Sequence, residues 1–503
     1  MNQLSLYEQN AINLLPLRPR QEAGMAELRK ALREGFLRVV FQASTGFGKT
    51  VIMAHIVASA LERGKRPLIC VPRLSLINQT VKRFMAQGIR DIGVIQGQHE
   101  LTDYSAAVQV ASVQTLVRRP TPGIDFVLYD ECHIQHEAMN KILDSEAWAK
   151  KIVIGFSATP WAKGMGLRWT KLIAPATTNE LIAEGWLTPV VGFGVPDEFM
   201  PDVSEVHTNF DGDYVEGEAE KAMTTKKIVG NVVKTWLEKG PGEKTFMFCV
   251  NRSHARRMQK EFEDAGVSCG YIDGTMDAGE REEVFRKYRR GEYKIIASID
   301  TVGIGVDEDV RCIIYLRLTK SEMKWVQDGG RGIRIADGKQ HCLLLDHAGT
   351  AEELGLFTDI HHDTLCTRDP NEKGQPLADK KQTKPRKCPK CSALVSRATS
   401  ICPNCGSILG KDLGPKAVQG ELVAIGKKEK KPEKDEKQSF YSQALGLEFE
   451  RNYRKGYAAN LYRKKFGVWP SRLIEVTAFP SRKVREFARE QALEYRKQKE
   501  GAA

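Results

Sequence analysis

The chain contains no apolar run long enough to cross a bilayer, and its first residues lack the apolar core of a secretory signal peptide. These absences predict an intracellular protein without a membrane partner. A disulfide framework is also missing, because seven of the eleven cysteines stand singly, several of them in apolar runs where reduced cysteine is a small hydrophobe. No nuclease constellation is evident either, since the run His361-His362-Asp363 alone is insufficient.

What is present is a long chain with ample material for several cores. Its 503 residues are 41% hydrophobic, which predicts two to four domains. The net charge is +12, with a calculated pI of about 9.0. Such a basic balance favours a polyanionic partner, although many soluble proteins of other functions share it.

The stretch Gln42–Thr50 (QASTGFGKT) follows an apolar run and precedes apolar residues at helical spacing. Strand, glycine-bearing loop and helix are the context of a phosphate-binding loop. The two glycines permit the tight turn that aims backbone N–H groups at phosphate oxygens. Lys49 is predicted to reach the β- and γ-phosphates, and Thr50 to bind Mg²⁺. The pattern departs from its usual form at Ala43, where the first glycine is expected.

Further along the first half, the apolar run 124–129 delivers Asp130, Glu131 and His133 at the end of a predicted strand. Two acids at a buried strand end are costly unless they bind a cation. Asp130 is therefore predicted to be a Mg²⁺ ligand, and Glu131 to deprotonate the attacking water. His133 is predicted to sense the γ-phosphate and relay it to a neighbouring domain.

Five strand signals in the first half alternate with helical patterns, which predicts a doubly wound parallel sheet. Ligands of such sheets collect at strand ends. Gln21, which precedes the phosphate loop, is predicted to recognise an adenine edge with its amide. Four polar residues that follow other strands are predicted to hold a nucleic-acid backbone, with helix or turn capping as the alternative for each: Arg73, Ser112, Gln114 and Thr115.

A second α/β series begins near Thr245 and leads to Gln327, Arg331 and Arg334 in the segment QDGGRGIR. This segment has no evident role in a single-domain NTPase. Opposite a nucleotide held by the first domain, its arginines would stabilise charge that develops on the transferring phosphoryl group. The alternative is a solvated basic helix.

Together ASTGFGKT, DECH, SAT and QDGGRGIR, in this order and spacing, resemble the motifs of superfamily 2 helicases of the DEAD/DEAH-box kind. Within that superfamily the layout is most similar to bacterial and phage RadD-type DNA helicases, which share the LRPRQ start and the cysteine pairs after the motor. The motif GVD resembles motif V, although the proline often found after its aspartate is absent.

The resemblance implies two RecA-like domains that close on ATP and Mg²⁺ in the cytoplasm of a bacterial or phage-infected cell. The catalytic residues it implies are Lys49, Asp130, Glu131, Gln327, Arg331 and Arg334. The nucleotide-binding residues it implies are Arg18, Gln21, Ser44, Thr45, Gly46, Phe47, Gly48, Lys49, Thr50, Gly305 and Asp307. Nucleic-acid contacts are expected from Arg73, Ser112, Gln114, Thr115, Asn251 and Gly274.

After the motor, Cys388, Cys391, Cys402 and Cys405 form two C-x₂-C pairs that are separated by ten residues. Two such pairs complete a tetrahedral S₄ site, which predicts a structural Zn²⁺ in a zinc ribbon. Two redox-active pairs are the alternative. Beyond them, basic residues alternate with aromatics from 440 to 495, which suits base stacking with phosphate contact, or a small helical core with solvated lysines.

The predicted fold class is α/β, with two tandem RecA-like doubly wound parallel-sheet domains, a zinc ribbon and a mainly helical basic module. The predicted boundaries are 1–190, 191–365, 384–410 (ribbon), 411–438 (flexible charged linker) and 439–503. The predicted function is ATP-dependent movement on single-stranded, branched or forked DNA in repair, recombination or replication, with a single-strand-binding protein or another repair or replication factor as a further partner. An RNA helicase, a restriction-type translocase subunit and a non-catalytic binder are the alternatives.

Overall fold

Two parallel sheets form the core of the protein, as seen in a computed structural model that describes residues 12–196, 199–299, 308–376, 384–409, 434–471 and 473–500. These residues fall into two compact units, one before and one after the charged stretch that follows residue 409. The first unit contains both sheets. No helix among the described residues combines the length and apolarity that crossing a membrane requires.

The first sheet has seven parallel strands in the order β3-β4-β2-β5-β6-β1-β7, and we call this part of the chain lobe 1. Its strands are β1 (Arg38–Gln42), β2 (Pro67–Val71), β3 (Ile92–Ile95), β4 (Val108–Ser112), β5 (Phe126–Asp130), β6 (Ile152–Ser157) and β7 (Lys171–Ile173). Its helices are α1 (Pro19–Arg33), α2 (Lys49–Leu61), α3 (Ser75–Met85), α4 (Val113–Leu116), α5 (Glu137–Asp144), α6 (Glu146–Ala149), α7 (Met165–Arg168) and α8 (Thr178–Ala183).

The second sheet forms lobe 2, with parallel strands in the order β10-β11-β9-β12-β13-β8. Its strands are β8 (Val190–Gly194), β9 (Thr245–Phe248), β10 (Cys269–Ile272), β11 (Ile295–Ser298), β12 (Cys312–Tyr315) and β13 (Cys342–Asp346). Its helices are α9 (Glu216–Met223), α10 (Lys226–Lys239), α11 (Arg252–Asp264), α12 (Ala278–Arg289), α13 (Glu322–Gly329) and α14 (Thr350–Leu354).

The strands are nearly continuous apolar runs because both faces of each sheet are covered. All five residues of β2 and all five of β13 are buried. The doubly wound parallel fold predicted from the sequence is confirmed. The strands β3, β7, β8 and β13 extend the two sheets beyond the runs that the sequence pattern identified.

After lobe 2 the chain returns to lobe 1 before it reaches the cysteine pairs. The backbone N–H of Gly166 donates to Cys366 O over 2.8 Å, and Lys163 Nζ donates to Glu372 O over 2.8 Å. Leu365 packs against the core of lobe 1. This segment therefore spans both lobes.

The cysteine pairs then lie at the edge of the second sheet, in a two-stranded ribbon of β14 (Arg386–Lys387) and β15 (Leu394–Val395). Strand β15 pairs antiparallel with β8 at Leu394 and Gly192. A Cβ at Gly192 would lie 3.1 Å from Leu394 Cβ, so glycine allows this close approach. The ribbon covers what would otherwise be an open strand edge.

The second unit is helical, as predicted. Its helices are α15 (Lys434–Glu450), α16 (Tyr457–Phe466) and α17 (Arg482–Glu500). A small core buries Tyr441, Leu447, Leu461 and Tyr462. Helix α15 begins at Lys434, inside the segment predicted to be linker up to residue 438, and Gln438 in this first part donates to Ile474 O over 2.8 Å.

Candidate functional site

The predicted phosphate loop joins β1 to α2. Gly48 precedes the helix with φ 92° and Gly46 has φ 80°, conformations that favour glycine. The loop therefore places backbone N–H groups at the helix N-terminus, where an anion is favoured. Ala43 is buried and does not have a positive φ, so the departure from the usual motif leaves the turn intact.

Three loop residues predicted to hold nucleotide, Ser44, Thr45 and Phe47, also contact other parts of the protein through their side chains. Phe47 is buried against Phe41, with ring centroids 6.2 Å apart. Ser44 is buried, and its hydroxyl donates to Ala176 O over 3.4 Å. Thr45 faces lobe 2, where a Cβ on Gly330 would lie 2.6 Å from its Oγ1. The backbone amides of these residues remain the groups that the loop presents to phosphate.

Lys49 lies between the two acids of the DECH segment. Its Nζ is 2.5 Å from Asp130 Oδ1 and 2.5 Å from Glu131 Oε1. Burial disfavours the ammonium charge, yet the two carboxylates raise the pKa of Lys49. Burial raises the pKa of Asp130, and Lys49 opposes that shift. The site thus balances its charges internally and exposes the same groups that a magnesium triphosphate would engage.

Glu131 has φ 48°, an uncommon conformation for a residue with a side chain. Burial opposes its ionisation, but the nearby Lys49, through its charge and its hydrogen bond, and other positive groups together outweigh this effect and lower the pKa of Glu131. Arg331 of lobe 2 lowers the same pKa. Glu131 is consequently a carboxylate, the state that a general base requires.

A hydrogen-bonded chain crosses from lobe 1 to lobe 2 through His133. Its Nδ1 is 2.8 Å from Ser157 Oγ, and its Nε2 is 3.0 Å from Gln327 Nε2. Gln327 also donates to Thr159 Oγ1 over 2.8 Å. Because an amide nitrogen can only donate, His133 Nε2 accepts and Nδ1 carries the proton. Burial lowers the pKa of His133, which agrees with this neutral tautomer.

The arginine segment of lobe 2 packs directly on the phosphate loop. Arg334 pairs with Leu187 as an antiparallel bridge, and a Cβ on Gly46 would lie 3.9 Å from Arg334 Cγ. Lys339, which the sequence pattern does not single out, donates from Nζ to Gly332 O over 2.5 Å and to Arg334 O over 2.7 Å. Lys339 therefore fixes the backbone that carries both arginines.

At the other end of the loop, Gln21 is buried and bonded on both sides. Its Nε2 donates to Phe47 O over 2.6 Å, and its Oε1 accepts from Arg18 N over 2.8 Å. Each atom keeps one further hydrogen-bonding position, which is the capacity an adenine edge needs. Arg18 stacks on Trp186 with its guanidinium 4.3 Å from the ring centroid. Trp186 belongs to none of the sequence motifs, so only its position in the fold identifies it as part of this site.

A second cleft between the lobes brings together three residues predicted to contact nucleic acid. Arg73 of lobe 1 and Asn251 and Gly274 of lobe 2 line this cleft, which has a volume of about 520 Å³. Asn251 caps α11 by accepting from His254 N, and its amide donates to Glu220 Oε2 over 2.6 Å. The cleft is therefore lined partly by polar side chains and is open to a nucleic-acid strand.

The other predicted nucleic-acid residues lie at the start of α4. Ser112 is fully buried, and its hydroxyl accepts from Thr115 N over 3.2 Å. It thus caps the helix, which is the alternative role considered for it. Gln114 is exposed and remains available for contact. Gly305 and Asp307, predicted to bind nucleotide, lie outside the described residues.

The four ribbon cysteines converge as predicted. Their sulfur atoms all lie within 4.8 Å of one another. Cys388 and Cys405 are 3.6 Å apart, and Cys391 and Cys402 are 3.7 Å apart. A tetrahedral zinc site with Zn–S bonds of about 2.3 Å has sulfur–sulfur edges of about 3.8 Å, so the cluster fits Zn²⁺.

Asp359 links the ribbon to both lobes. Its Oδ1 accepts from Asn179 of α8 over 2.8 Å and from the Ser396 hydroxyl of the ribbon over 2.5 Å. One carboxylate of lobe 2 thus contacts lobe 1 and the ribbon together.

Comparison with known proteins agrees with this arrangement. Residues 14–162 match the family model described as type III restriction enzyme, res subunit, and residues 225–336 match the helicase conserved C-terminal domain. The chain is 28% identical over 370 residues to a Saccharomyces cerevisiae protein described as the ATP-dependent helicase Irc3, covering 68% of this chain and 52% of that one. It is 28% identical to a 51.5 kDa protein of a Lactococcus phage, covering 73% of this chain and 77% of that one.

Solved structures share the fold. A fragment of an HsdR subunit of a type I restriction enzyme from Vibrio vulnificus superposes with a TM-score of 0.55 at 18% identity, covering 74% of this chain and 73% of that one. The chain spans about half the length of the yeast relative. The chain therefore combines a domain of the restriction res type in lobe 1 with a helicase C-terminal domain in lobe 2, which is the pair of domains found in superfamily 2 helicases.

Proposed function

We propose that this protein is an ATP-driven DNA helicase or translocase that acts in DNA repair, recombination or replication. The observation that carries the proposal is the pair of bonds from Gln327 of lobe 2 to His133 and Thr159 of lobe 1. These residues lie beside the acid that would activate water. Any change at the phosphate end of the site therefore reaches the second lobe through a direct contact.

In the proposed reaction, ATP binds with its phosphates on the loop before α2 and draws Lys49 away from the two acids. Thr50 and Asp130 are the residues that would hold Mg²⁺, which neutralises phosphate charge when bound. Glu131, released from Lys49, accepts a proton from the attacking water. Arg331 and Arg334 stabilise the negative charge that develops on the phosphoryl oxygens.

Nucleic acid is proposed to occupy the cleft lined by Arg73, Asn251 and Gly274. Motor contacts of this kind engage the phosphate backbone rather than the bases. The cleft joins both lobes, so opening and closing would change the distance between the two sets of contacts. Repeated cycles would then move the protein along the strand.

The test is ATP turnover with matched single-stranded, duplex, forked and RNA ligands. Lys49→Ala and Glu131→Gln should abolish stimulated turnover, while the exposed residues on α5 supply matched controls, Lys141→Ala and Glu137→Gln. Stimulation by DNA above RNA supports the proposal. Stimulation by RNA alone would instead assign an RNA helicase, and full turnover by either site variant would overturn the assigned roles.

A second candidate is a translocase subunit of a restriction-type complex. It is favoured by the type III restriction family model over lobe 1 and by the likeness of fold to the HsdR fragment. Such a motor moves on duplex DNA without separating the strands. Displacement of a third strand from a duplex, without unwinding of a fork, would favour this candidate over a helicase.

We also propose that the chain is of the RadD type within its superfamily. The support is the LRPRQ start, the DECH segment, QDGGRGIR and the cysteine pairs, which occur together in this sequence. Preferential stimulation by forked or branched DNA over plain duplex would agree with a repair role of this kind. Equal stimulation by all duplex forms would argue against it.

A further inference from the structure

The second unit holds a large share of the charge of the chain. Residues 439–503 contain fourteen lysines and arginines but only seven acidic residues, all glutamate. The whole chain has a net charge of +12, so more than half of that excess lies in this short segment. The small core of the unit is apolar, so this excess of positive charge does not serve the packing of the core.

Three of these cations stand together, with no acidic residue among them, at the C-terminal end of α16. Arg463, Lys464 and Lys465 occupy consecutive exposed positions, while Leu461 and Tyr462 just before them are buried. One cation in the last turn is enough to complement the helix dipole. Three consecutive cations without an acidic partner among them raise the local positive potential, which favours an anionic ligand at this end of the helix.

The aromatics of the unit divide into two sets. Phe440, Tyr462 and Phe466 contact one another, with centroids 4.7 to 6.5 Å apart, and build the core. Four aromatics are instead exposed: Phe479 (87%), Phe449 (85%), Trp469 (51%) and Tyr453 (45%). The core set accounts for the fold, so the exposed set is left for another role.

Two of them, Trp469 and Tyr453, lie beside α16, and each is held by a neighbour and has a cation close in the chain. Arg463 lies over Trp469 with its guanidinium 4.7 Å from the ring centroid. Tyr453 lies 4.3 Å from Tyr457, ring centroid to ring centroid, and is followed by two exposed cations, Arg454 and Lys455. An aromatic ring that is already immobilised loses less entropy when a base stacks on it.

We call Tyr453 and Trp469 the two platforms. Tyr453 precedes α16 and Trp469 follows it, so they flank the two ends of the helix. The helix has ten residues, and at 1.5 Å per residue it spans about 15 Å. Single-stranded binding surfaces combine cations that follow the backbone with aromatics on which bases stack, over sites of about 4–16 nucleotides. The spacing of the platforms falls within the length of such a site.

We propose that the C-terminal unit binds single-stranded nucleic acid on α16, with Lys464 and Lys465 contacting phosphates and Trp469 stacking on a base. A duplex does not suit this surface, because its bases already stack on one another. The site is separate from the cleft between the lobes. It would keep a strand attached while the motor contacts exchange.

The first test is the salt dependence of binding by the full-length protein. Anisotropy of a labelled twenty-residue oligothymidine, without nucleotide, gives the slope of log affinity against log salt. Each phosphate contact on a single strand contributes about 0.7 to this slope, so Lys464→Gln/Lys465→Gln should lower it by about 1.4. The matched control, Lys483→Gln/Arg489→Gln on α17, removes two exposed cations and should leave the slope unchanged.

The second test separates stacking from charge. Trp469→Ala should weaken oligothymidine binding roughly tenfold without changing the slope, and Trp469→Phe should retain most of the affinity. Trp469→Ala should leave binding to a twenty-base-pair duplex unchanged. A uridine oligomer of equal length shows whether the site prefers DNA or RNA. A loss of affinity for either oligomer in Trp469→Ala supports the site.

Two results would overturn the proposal. One is an unchanged slope in the α16 pair, or an equal decrease in the α17 pair, because bulk charge would then explain the binding. The other is unchanged affinity in Trp469→Ala. Circular dichroism melting of each variant verifies that the unit is folded. Since the assay contains no ATP, failure of ATP turnover would overturn the proposed function and leave this site unaffected.

Discussion

Gln327 of lobe 2 donates a hydrogen bond to Thr159 of lobe 1 over 2.8 Å, and the same amide nitrogen lies 3.0 Å from His133 Nε2. His133 is in turn 3.4 Å from Glu131 Oε2. The acid proposed to activate water is therefore two contacts away from the other lobe. This short path gives the nucleotide a direct means to bias the angle between the lobes.

Gln327→Ala should therefore uncouple the lobes rather than empty the nucleotide site. Loss of these bonds is worth about 1–3 kcal/mol, or roughly five- to 150-fold in DNA-stimulated kcat. ATP affinity without DNA should change little, because Gln327 does not touch the phosphate loop. Steady-state ATPase assays and equilibrium nucleotide binding measure the two effects. The exposed Gln98 offers the control, Gln98→Ala, which should change neither.

Lys339 is expected to be a positioning residue for the arginine segment. Lys339→Met removes two bonds, to Gly332 O and Arg334 O, while it keeps most of the buried stem. The substitution should lower kcat on the order of tenfold with little change in KM for ATP, since only the transition state uses the arginines fully. Lys339→Arg should restore part of the rate. A uniform loss of thermal stability with unchanged kcat would assign Lys339 to folding alone.

The zinc ribbon yields a prediction about metal content. The purified chain should contain one zinc per molecule, and Cys405→Ser should lose it, because a tetrahedral S₄ site has no spare ligand. Since β15 pairs with β8, metal loss should also expose the edge of the second sheet to hydrogen exchange. Cys366→Ser is the control. Cys366 is buried and is not one of the four cluster cysteines, so this variant protein should keep its zinc.

Two buried histidines predict how stability depends on pH. Burial lowers the pKa of His254 to about 4 and that of His347 to about 4, against about 6.5 in the unfolded chain. Between these values the unfolded state binds more protons, so stability falls as pH falls below 6.5. Each histidine contributes a slope of up to about 1.4 kcal/mol per pH unit.

Urea unfolding followed by tryptophan fluorescence at pH 7.0 and 5.0 measures this decrease. His347→Leu should make the dependence shallower by about one proton, since neither ring nitrogen of His347 has a hydrogen-bond partner to lose. An exposed histidine gives the control, because His207→Leu removes a group that is accessible to water. If both variants keep the full slope, His347 does not take part in the acid response.

Much of the motor could be predicted from the sequence because its motifs are local. The phosphate loop needs glycines at fixed positions beside a strand and a helix, and DECH needs only a buried strand before it. The strands β3, β7, β8 and β13 were not predicted, and β8 and β13 have five residues each, so strand length alone does not explain the omission. The motif order also indicated which segments meet across the lobes.

The rest depends on contacts between distant segments, which no local pattern encodes. Trp186 under Arg18, Lys339 beneath the arginine segment and Asp359 between Asn179 and Ser396 are examples. Each is a common residue type in an ordinary local sequence. The side chain of Ser112 shows the converse, since a polar residue at a strand end is buried as a helix cap.

Gln21 provides the sharpest test of the nucleotide end of the site. Its amide supports the loop through Phe47 O, and it keeps one donor and one acceptor position for an adenine edge. Guanine reverses the donor and acceptor pattern at that edge, so Gln21 should favour ATP over GTP. Gln21→Ala should lower kcat/KM for ATP by roughly tenfold or more, and for GTP much less, because the loss of a matched hydrogen-bond pair is specific. Equal losses with both nucleotides would instead restrict Gln21 to supporting the loop, and then Arg18 and Trp186 would be the residues left to contact the base.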